Sequence, residues 1–205
     1  FYGNPADKMK LIGITGTNGK TTCAFILEKI LSDSGAPCGL ISTVRYSYPG
    51  FSLSAGRTTP APELFQKLLS GMVENKCPWA VMEVSSHALR QNRIGNAKFA
   101  GAIFTNLSGD HLDYHRDMEQ YYLAKKLLFS EHIDKNGAAI INVDDPYGRR
   151  IISELNDAKF ISYGFAEDAD YRITEFKGAA DGSNFVINRG TSSYKISSNL
   201  PGRHN

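Results

Sequence analysis

The chain has few cysteines, and they are badly placed for a scaffold. Cys23, Cys38 and Cys77 are an odd number with no C-x-x-C spacing, which excludes a disulfide frame and a zinc knuckle. They read as reduced thiols in a reducing compartment, and we expect a cytoplasmic protein. No apolar run approaches the roughly 20 residues a bilayer-spanning helix needs, and no signal peptide is visible. Neither sign of charge is in excess. A formal net charge of +2 is too small to argue for nucleic acid or a membrane surface as partner. Internal repeats and low-complexity tracts are missing too. What remains is a chain of 205 residues, 41% of them hydrophobic, enough to build a core in one large domain or one and a half. It begins at Phe1 without Met and stops at Asn205, just after Pro201-Gly202, so we expect a domain of a longer protein.

The stretch that organises the rest is Lys10 to Thr22, KLIGITGTNGKTT. An apolar strand, Leu11 to Ile14, breaks into Gly16-Thr17-Asn18-Gly19, then Lys20-Thr21-Thr22, then an amphipathic run to Leu31. Strand, glycine loop and helix start together make an anion site. Glycines let backbone N–H groups converge on phosphate oxygens, and the helix N-terminus adds partial positive charge. Lys20 can reach β- and γ-phosphates, and the Thr21 hydroxyl can ligate Mg²⁺. The strict phosphate loop, G-x-x-x-x-G-K-[ST], wants Gly where Ile14 stands, so this is a variant. The competing reading is a glycine-rich turn whose Lys merely caps a helix. Loop, Lys and hydroxyl in this context favour a nucleoside triphosphate.

Further along, helices are expected near residues 22–34, 61–74, 117–130 and 146–155, with Thr59 or Pro60 starting the second and Asp117 capping the third. Strands are expected at 37–42, 79–84, 99–106, 137–143 and 160–163, with a loop or hairpin at 46–56. This alternation predicts an α/β fold: a mostly parallel sheet with helices on both faces, over residues 1–168. From Asp170 the runs around Ile173, Val186 and Ile196 alternate about Gly-rich turns with no helix between them. They predict a small antiparallel subsheet at 169–199.

Ligands of parallel sheets bind beyond the carboxyl ends of the strands, and polar residues gather at those ends here. WAVMEV ends at Glu83, Ser85, Ser86 and His87; the next strand leads to Asn106, Asp110 and His111; AAIINV ends at Asn142 and Asp145. A Glu within an apolar stretch needs a partner or a metal, and beside a triphosphate that metal is Mg²⁺. His111 and His115 are spaced i, i+4, but the Glu of H-E-x-x-H is missing, so a ligand to a phosphate-bound metal fits His111 better than zinc. His115 and His132 read as ordinary surface or structural histidines. Lys125 and Lys126, on pattern alone, read as a solvated helix face.

TGTNGKTT, TTP, MEVSSHALRQNR, FTNLSGDHLDYH, YLAKKLLF and INVDD, in this order, resemble the central domain of the Mur ligases. Within that family they look most like the UDP-N-acetylmuramoyl-tripeptide synthetases. EVSSHAL with Gln91 and Arg93 is the most specific stretch, and the closing Gly202-Arg203-His204-Asn205 resembles the start of G-x-[HF]-N. The resemblance implies a three-domain enzyme, with the uridine-nucleotide domain and the amino-acid domain outside this chain. It also implies ATP-dependent addition of the third amino acid to UDP-N-acetylmuramoyl-L-Ala-D-Glu, through an acyl phosphate, in peptidoglycan synthesis. The substrates are then UDP-muramoyl dipeptide and an amino acid, and the protein a monomer.

By the same resemblance Gly16, Thr17, Asn18, Gly19, Lys20, Thr21 and Thr22, with Asn142, Asp145, His204 and Asn205, bind ATP. Thr21 and Glu83 hold one Mg²⁺. His111 and Lys125 help hold a second, with Lys125 carbamylated so that it presents a carboxylate. Thr58, Thr59, Ser85, Gln91 and Arg93 contact the muramoyl-peptide substrate. Lys20, Lys125 and His111 are the expected catalytic residues. Two other readings stand beside this one: another amide ligase of the superfamily, of the folylpolyglutamate synthetase kind, and a nucleotide-binding module without ligase activity. The residues 1–205 alone are expected to form no amide bond.

Overall fold

A computed structural model of the chain describes residues 2–109, 115–155 and 158–202. Among these, eleven strands form one sheet: β1 (Lys10–Thr15), β2 (Cys38–Ile41), β3 (Arg45–Tyr48), β4 (Phe51–Ser54), β5 (Trp79–Glu83), β6 (Phe99–Phe104), β7 (Ile133–Asn142), β8 (Phe160–Gly164), β9 (Tyr171–Ala179), β10 (Gly182–Arg189) and β11 (Ser192–Ser198). Their spatial order is β11-β10-β9-β8-β7-β6-β1-β5-β2-β3-β4. From β2 to β8 across the middle, every pairing is parallel. The antiparallel hairpin β3–β4 closes one edge and the ribbon β9–β11 the other.

The helices are α1 (Lys20–Asp33), α2 (Pro62–Glu74), α3 (Ser86–Arg90), α4 (Met118–Ser130) and α5 (Pro146–Glu154), preceded by a single 3₁₀ turn at Pro5–Lys8. α1 covers one sheet face, packing Ala24 against Ile14, Leu40 and Val81. The opposite face carries the larger core, built from α2, α4 and α5 over Leu11, Met82, Phe104 and Ile141. In α2, Phe65, Leu68, Leu69 and Met72 are buried at i, i+3, i+4 and i+7, one helical stripe. Full burial of each such side chain stabilises by about 1.5–3 kcal/mol, which is why this pattern was legible. No helix among the described residues is long and apolar enough to cross a membrane.

Two points differ from expectation. α2 starts at Pro62 with Ala61 in the cap position and no capping side chain, so neither Thr59 nor Pro60 begins it. The Thr59 hydroxyl is held instead by the end of β5. The helix α3 was not anticipated, because five residues are too few to display a 3.6-residue period. The expected antiparallel subsheet is the ribbon β9–β11, and it joins the α/β core where β9 pairs in parallel with β8 through Tyr163–Tyr171 and Gly164–Arg172.

The chain leaves β1 for β2 on one side and later returns to place β6 on the other. The crevice beyond the C-terminal end of β1 therefore opens between strands running to either side of it, the place where open α/β sheets bind ligands.

Candidate nucleotide and metal site

The loop from β1 to α1 is held by the neighbouring strand end. Thr17 N–H donates to Asn106 O at 2.8 Å, and Asn18 N–H to Asn106 Oδ1 at 2.9 Å. Thr105 Oγ1 donates to Asn18 O at 2.6 Å. Gly16 is obligatory by contact, since a Cβ there would lie 1.9 Å from Thr105 Oγ1. Gly19, at φ 82°, is the cap residue of α1, a left-handed conformation that favours glycine. No side chain caps α1, unlike α3, α4 and α5, which Ser85, Asp117 and Asp145 cap. Its first-turn N–H groups, including those of Thr21 and Thr22, thus face the crevice with the positive end of the helix dipole. Lys20 arches back over the loop, its Nζ donating to Gly16 O at 2.9 Å and Thr17 O at 2.8 Å. The Lys20 ammonium thus lies across the loop.

On the β5 side of β1 stands Glu83, fully buried. Its Oε1 accepts from Thr21 Oγ1 at 2.9 Å and from Thr43 N–H at 2.8 Å, and its Oε2 from Thr43 Oγ1 at 3.1 Å. Thr43 was not expected as a site residue. It follows the end of β2, the strand beside β5, a neighbourhood only the sheet order reveals. From Thr43 the chain of contacts runs on to Thr58 Oγ1 at 3.1 Å. Thr59 Oγ1 donates to Glu83 O at 2.8 Å and accepts from Ser85 N–H at 3.0 Å. Arg93 Nη1 donates to Thr59 O at 3.2 Å, while its Nε and Nη2 both grip Gln91 Oε1, at 2.9 and 2.6 Å. All five residues expected on the substrate side, Thr58, Thr59, Ser85, Gln91 and Arg93, therefore lie in one connected network that reaches Thr21 through Glu83.

On the β6 side stands Lys125, only 2% exposed. Its Nζ donates to Gly16 O at 2.8 Å and lies 4.5 Å from the centre of the Tyr121 ring. Two lysines thus converge on one carbonyl. The reading of Lys125 and Lys126 as a shared solvated face holds only for Lys126, which pairs with Glu154 at 2.7 Å. Tyr121, Lys125 and Leu128 fall at i, i+4 and i+7 and are all buried, a pattern that places this lysine in the core stripe of α4.

Behind the loop lies a cavity of about 530 Å³ whose lining includes Gly19, Cys23, Asn142, Asp144, Tyr163 and Phe165. Its size and mixed walls suit a nucleobase. Burial and then the Glu83 carboxylate push the Cys23 thiol up, and burial foremost pushes the Tyr163 hydroxyl up, so both walls stay uncharged at neutral pH. Asn142 ties two loops, donating to Thr105 O at 2.8 Å and accepting from Asp144 N–H at 3.0 Å. Asp145 does not line this cavity. Its Oδ1 caps α5 through Tyr147 N–H at 2.8 Å, and its Oδ2 holds Leu107 N–H at 2.8 Å. A larger cavity, about 800 Å³, opens at the opposite, N-terminal end of the strands around Lys10, Trp79 and Gly137, away from the phosphate loop and its polar groups.

His111, His204 and Asn205 lie outside the described residues. His115 and His132 are both buried rather than at the surface: His115 Nε2 pairs with Ser86 Oγ at 2.8 Å, and His132 Nδ1 with Ala97 O at 3.1 Å.

Among the described residues no three His, Cys, Asp or Glu side chains cluster as a self-sufficient metal site. Mg²⁺ does not require one, because it keeps several waters and binds through one or two carboxylates plus substrate phosphates. Thr21 Oγ1 and Glu83 Oε1, both hard oxygens, already meet beside the phosphate loop. The donor chemistry fits this ion.

Known proteins are similar to this chain in sequence and fold. Residues 14–205 match the family described as the Mur ligase middle domain. The UDP-N-acetylmuramoyl-L-alanyl-D-glutamate--2,6-diaminopimelate ligase of Clostridium perfringens is 40% identical over 210 residues, covering 100% of this chain and 42% of that protein. The protein of the same name from Geobacter sulfurreducens is 42% identical over 212 residues, covering 100% of this chain and 41% of its own. The chain thus spans about two-fifths of the length of these relatives. A solved structure of a ligase with that name superimposes with a TM-score of 0.85 at 28% identity, over 96% of this chain and 40% of the other. The Mycobacterium tuberculosis folylpolyglutamate synthase complexed with ADP superimposes with a TM-score of 0.74 at 19% identity, over 99% of this chain and 52% of the other, a likeness of fold.

Proposed function

Because the chain belongs to the family of the Mur ligase middle domain, we propose that it is the ATP-handling part of an amide ligase. The ligase adds the third amino acid, 2,6-diaminopimelate by the names of its relatives, to UDP-N-acetylmuramoyl-L-Ala-D-Glu in peptidoglycan synthesis. Uridine and amino-acid sites belong to flanking domains, so that this chain is the central one of three. The protein works as a cytoplasmic monomer without nucleic-acid or membrane partners.

One observation carries this reading. The phosphate loop and the Thr58–Arg93 network meet at a single buried carboxylate, Glu83, which supports a site that takes nucleotide and acyl substrate side by side. In the proposed reaction the dipeptide carboxylate attacks the γ-phosphorus of ATP, giving an acyl phosphate and ADP. The amino group then attacks the acyl carbon, and phosphate leaves as the amide forms. Both reactants of the first step are anions, so catalysis consists of positioning and of cations placed where charge develops. Lys20 supplies one such cation by leaving Gly16 O and Thr17 O for the β- and γ-phosphates. The first-turn N–H groups of α1 supply fixed dipoles to the same oxygens. Arg93, held rigid by Gln91 and Thr59, orients the dipeptide end of the substrate.

Thr21 and Glu83 would hold Mg²⁺, which would supply positive charge to offset that of the phosphates. A second ion would use His111 and a carbamylated Lys125. Asn142, and His204 with Asn205, belong to the nucleotide side, where the cavity beside Tyr163 takes the base.

The test is a product assay on the full-length enzyme with Mg·ATP, UDP-muramoyl dipeptide and a panel of amino acids. Tripeptide formed with one ADP and one phosphate each is the expected result. ATP hydrolysis without amide product, at every amino acid tried, would overturn it.

A further inference from the structure

Thr15 is the anomaly of the core. It ends β1 and is fully buried, yet its Oγ1 has no hydrogen-bond partner among the described residues. Its neighbours along the same sheet level are apolar: Phe104 pairs with it directly, and Ile141 pairs with Phe104. Val has the same shape and would remove the orphaned hydroxyl, so packing does not account for Thr here. Native proteins rarely leave a buried hydroxyl unmatched without a reason.

The face that Thr15 occupies identifies the missing partner. Side chains alternate along a strand, so Thr15 shares a face with Gly13, where a Cβ would meet Leu128 of α4 at 3.3 Å. One helical turn towards the start of α4 from Leu128 is Lys125, whose Nζ reaches Gly16 O at 2.8 Å, the residue after Thr15. A further turn on, Tyr121 OH lies 3.4 Å from Thr17 Oγ1. The helix and the strand thus step past each other in register, Leu128 at Gly13, Lys125 at Gly16 and Tyr121 at Thr17, with Thr15 between the first two levels. The hydroxyl without an acceptor therefore lies next to the level of the lysine.

We propose that Thr15 is a positioning residue for a carbamate on Lys125: its hydroxyl donates to a carbamate oxygen and fixes the direction in which the other oxygen points. The inference rests on the carbamate reading of Lys125 and extends it to a residue outside the expected site. The reaction requires CO₂. The uncharged Nζ adds its lone pair to the carbon of CO₂, forming the N–C bond while one C=O pair moves onto oxygen. The proton left on nitrogen passes to a base in the solvent. The product bears one negative charge where a cation stood beside Lys20. The hydroxyl donates its proton to that oxygen, whereas towards an unmodified ammonium it could only accept.

The experiment is ¹³C NMR on the full-length protein titrated with ¹³C-bicarbonate, reading the carbamate resonance, with K125R to assign it. T15V keeps the shape and deletes the donor, T15S keeps the donor, and T15A deletes the donor without a branched replacement. The half-saturating bicarbonate concentration should rise about tenfold in T15V and T15A, the value of one hydrogen bond to a charged group, and return near wild type in T15S. T15A gives the reading independently should T15V fail to fold. A wild-type resonance absent in K125R but unchanged in half-saturation in T15V or T15A overturns the role of Thr15 and leaves the carbamate standing. No Lys125 resonance in wild type at any bicarbonate concentration overturns both.

Discussion

The two sides of β1 solve opposite electrostatic problems. On the β5 side one carboxylate, Glu83, gathers donors from Thr21 and from both the backbone and side chain of Thr43. On the β6 side one carbonyl, Gly16 O, gathers two ammonium groups, those of Lys20 and Lys125. The first is a negative centre ringed by hydroxyls, the setting a hard cation takes over with little rearrangement. The second places the Lys20 ammonium beside uncapped helix N–H groups, the setting of a phosphate. The strand between them supplies the loop that both sides touch. A triphosphate with its metal would bridge the two, and this polarity explains why the site is built at the middle of the sheet rather than at an edge.

The largest break in that contrast should come from Lys20→Ala. It removes the Lys20 ammonium from the β6 side and leaves Glu83 untouched. Mg·ATP affinity by calorimetry should fall about a hundredfold, the scale of one or two charge-assisted contacts. An unchanged affinity would remove the phosphate loop from the account. Glu83→Gln tests the other side through stability. It keeps the volume but presents an amide nitrogen to donors that need an acceptor, so unfolding free energy should fall by about 1–3 kcal/mol in denaturant titrations. No loss would mean that the hydroxyl ring does not depend on the charge.

The smallest effect belongs to a cluster remote from both sides, where α4 and α5 meet. Glu154 is held down to about 2 by the Lys126 hydrogen bond and then by Arg150. Its folded value lies below the ordinary 4.5, so its contribution is whole above that pH and is lost as pH falls towards about 2. The pair is at the surface and screened by water. Glu154→Gln should therefore lower the neutral Tm by only about one or two degrees, and flatten its decline across that acid window. A decline as steep in the variant would assign acid lability elsewhere.

The sequence disclosed the fold where its patterns were long. β1 with its glycine loop, the stripe of α2 and the cap at Asp117 were all readable from spacing, because burial and capping act on consecutive residues. It disclosed less where contacts are made across strands. Thr43 joins Glu83 from 40 positions away, and no local pattern marks that. On pattern alone Lys125 is grouped with Lys126 as solvated, although Tyr121 and Leu128 at helical spacing place it in the buried stripe; only the resemblance sets it apart. Asp145 was expected beside the nucleotide as part of a motif, yet both its carboxylate oxygens hold backbone N–H groups that shape the loops, while Asp144 next to it lines the cavity. A motif names the residues that matter without distinguishing those that touch a ligand from those that position the ones that do. Thr15 is the extreme case: only the three-dimensional row of Phe104 and Ile141 makes its hydroxyl conspicuous.

The central claim is that Glu83 is where the metal and the nucleotide meet. The direct measurement is calorimetric titration of ATP into wild type and Glu83→Gln, each with and without Mg²⁺. Affinity should rise on adding Mg²⁺ in wild type and stay flat in the variant, with metal-free affinity similar in both. A Mg²⁺-dependent rise of equal size in Glu83→Gln would contradict the account.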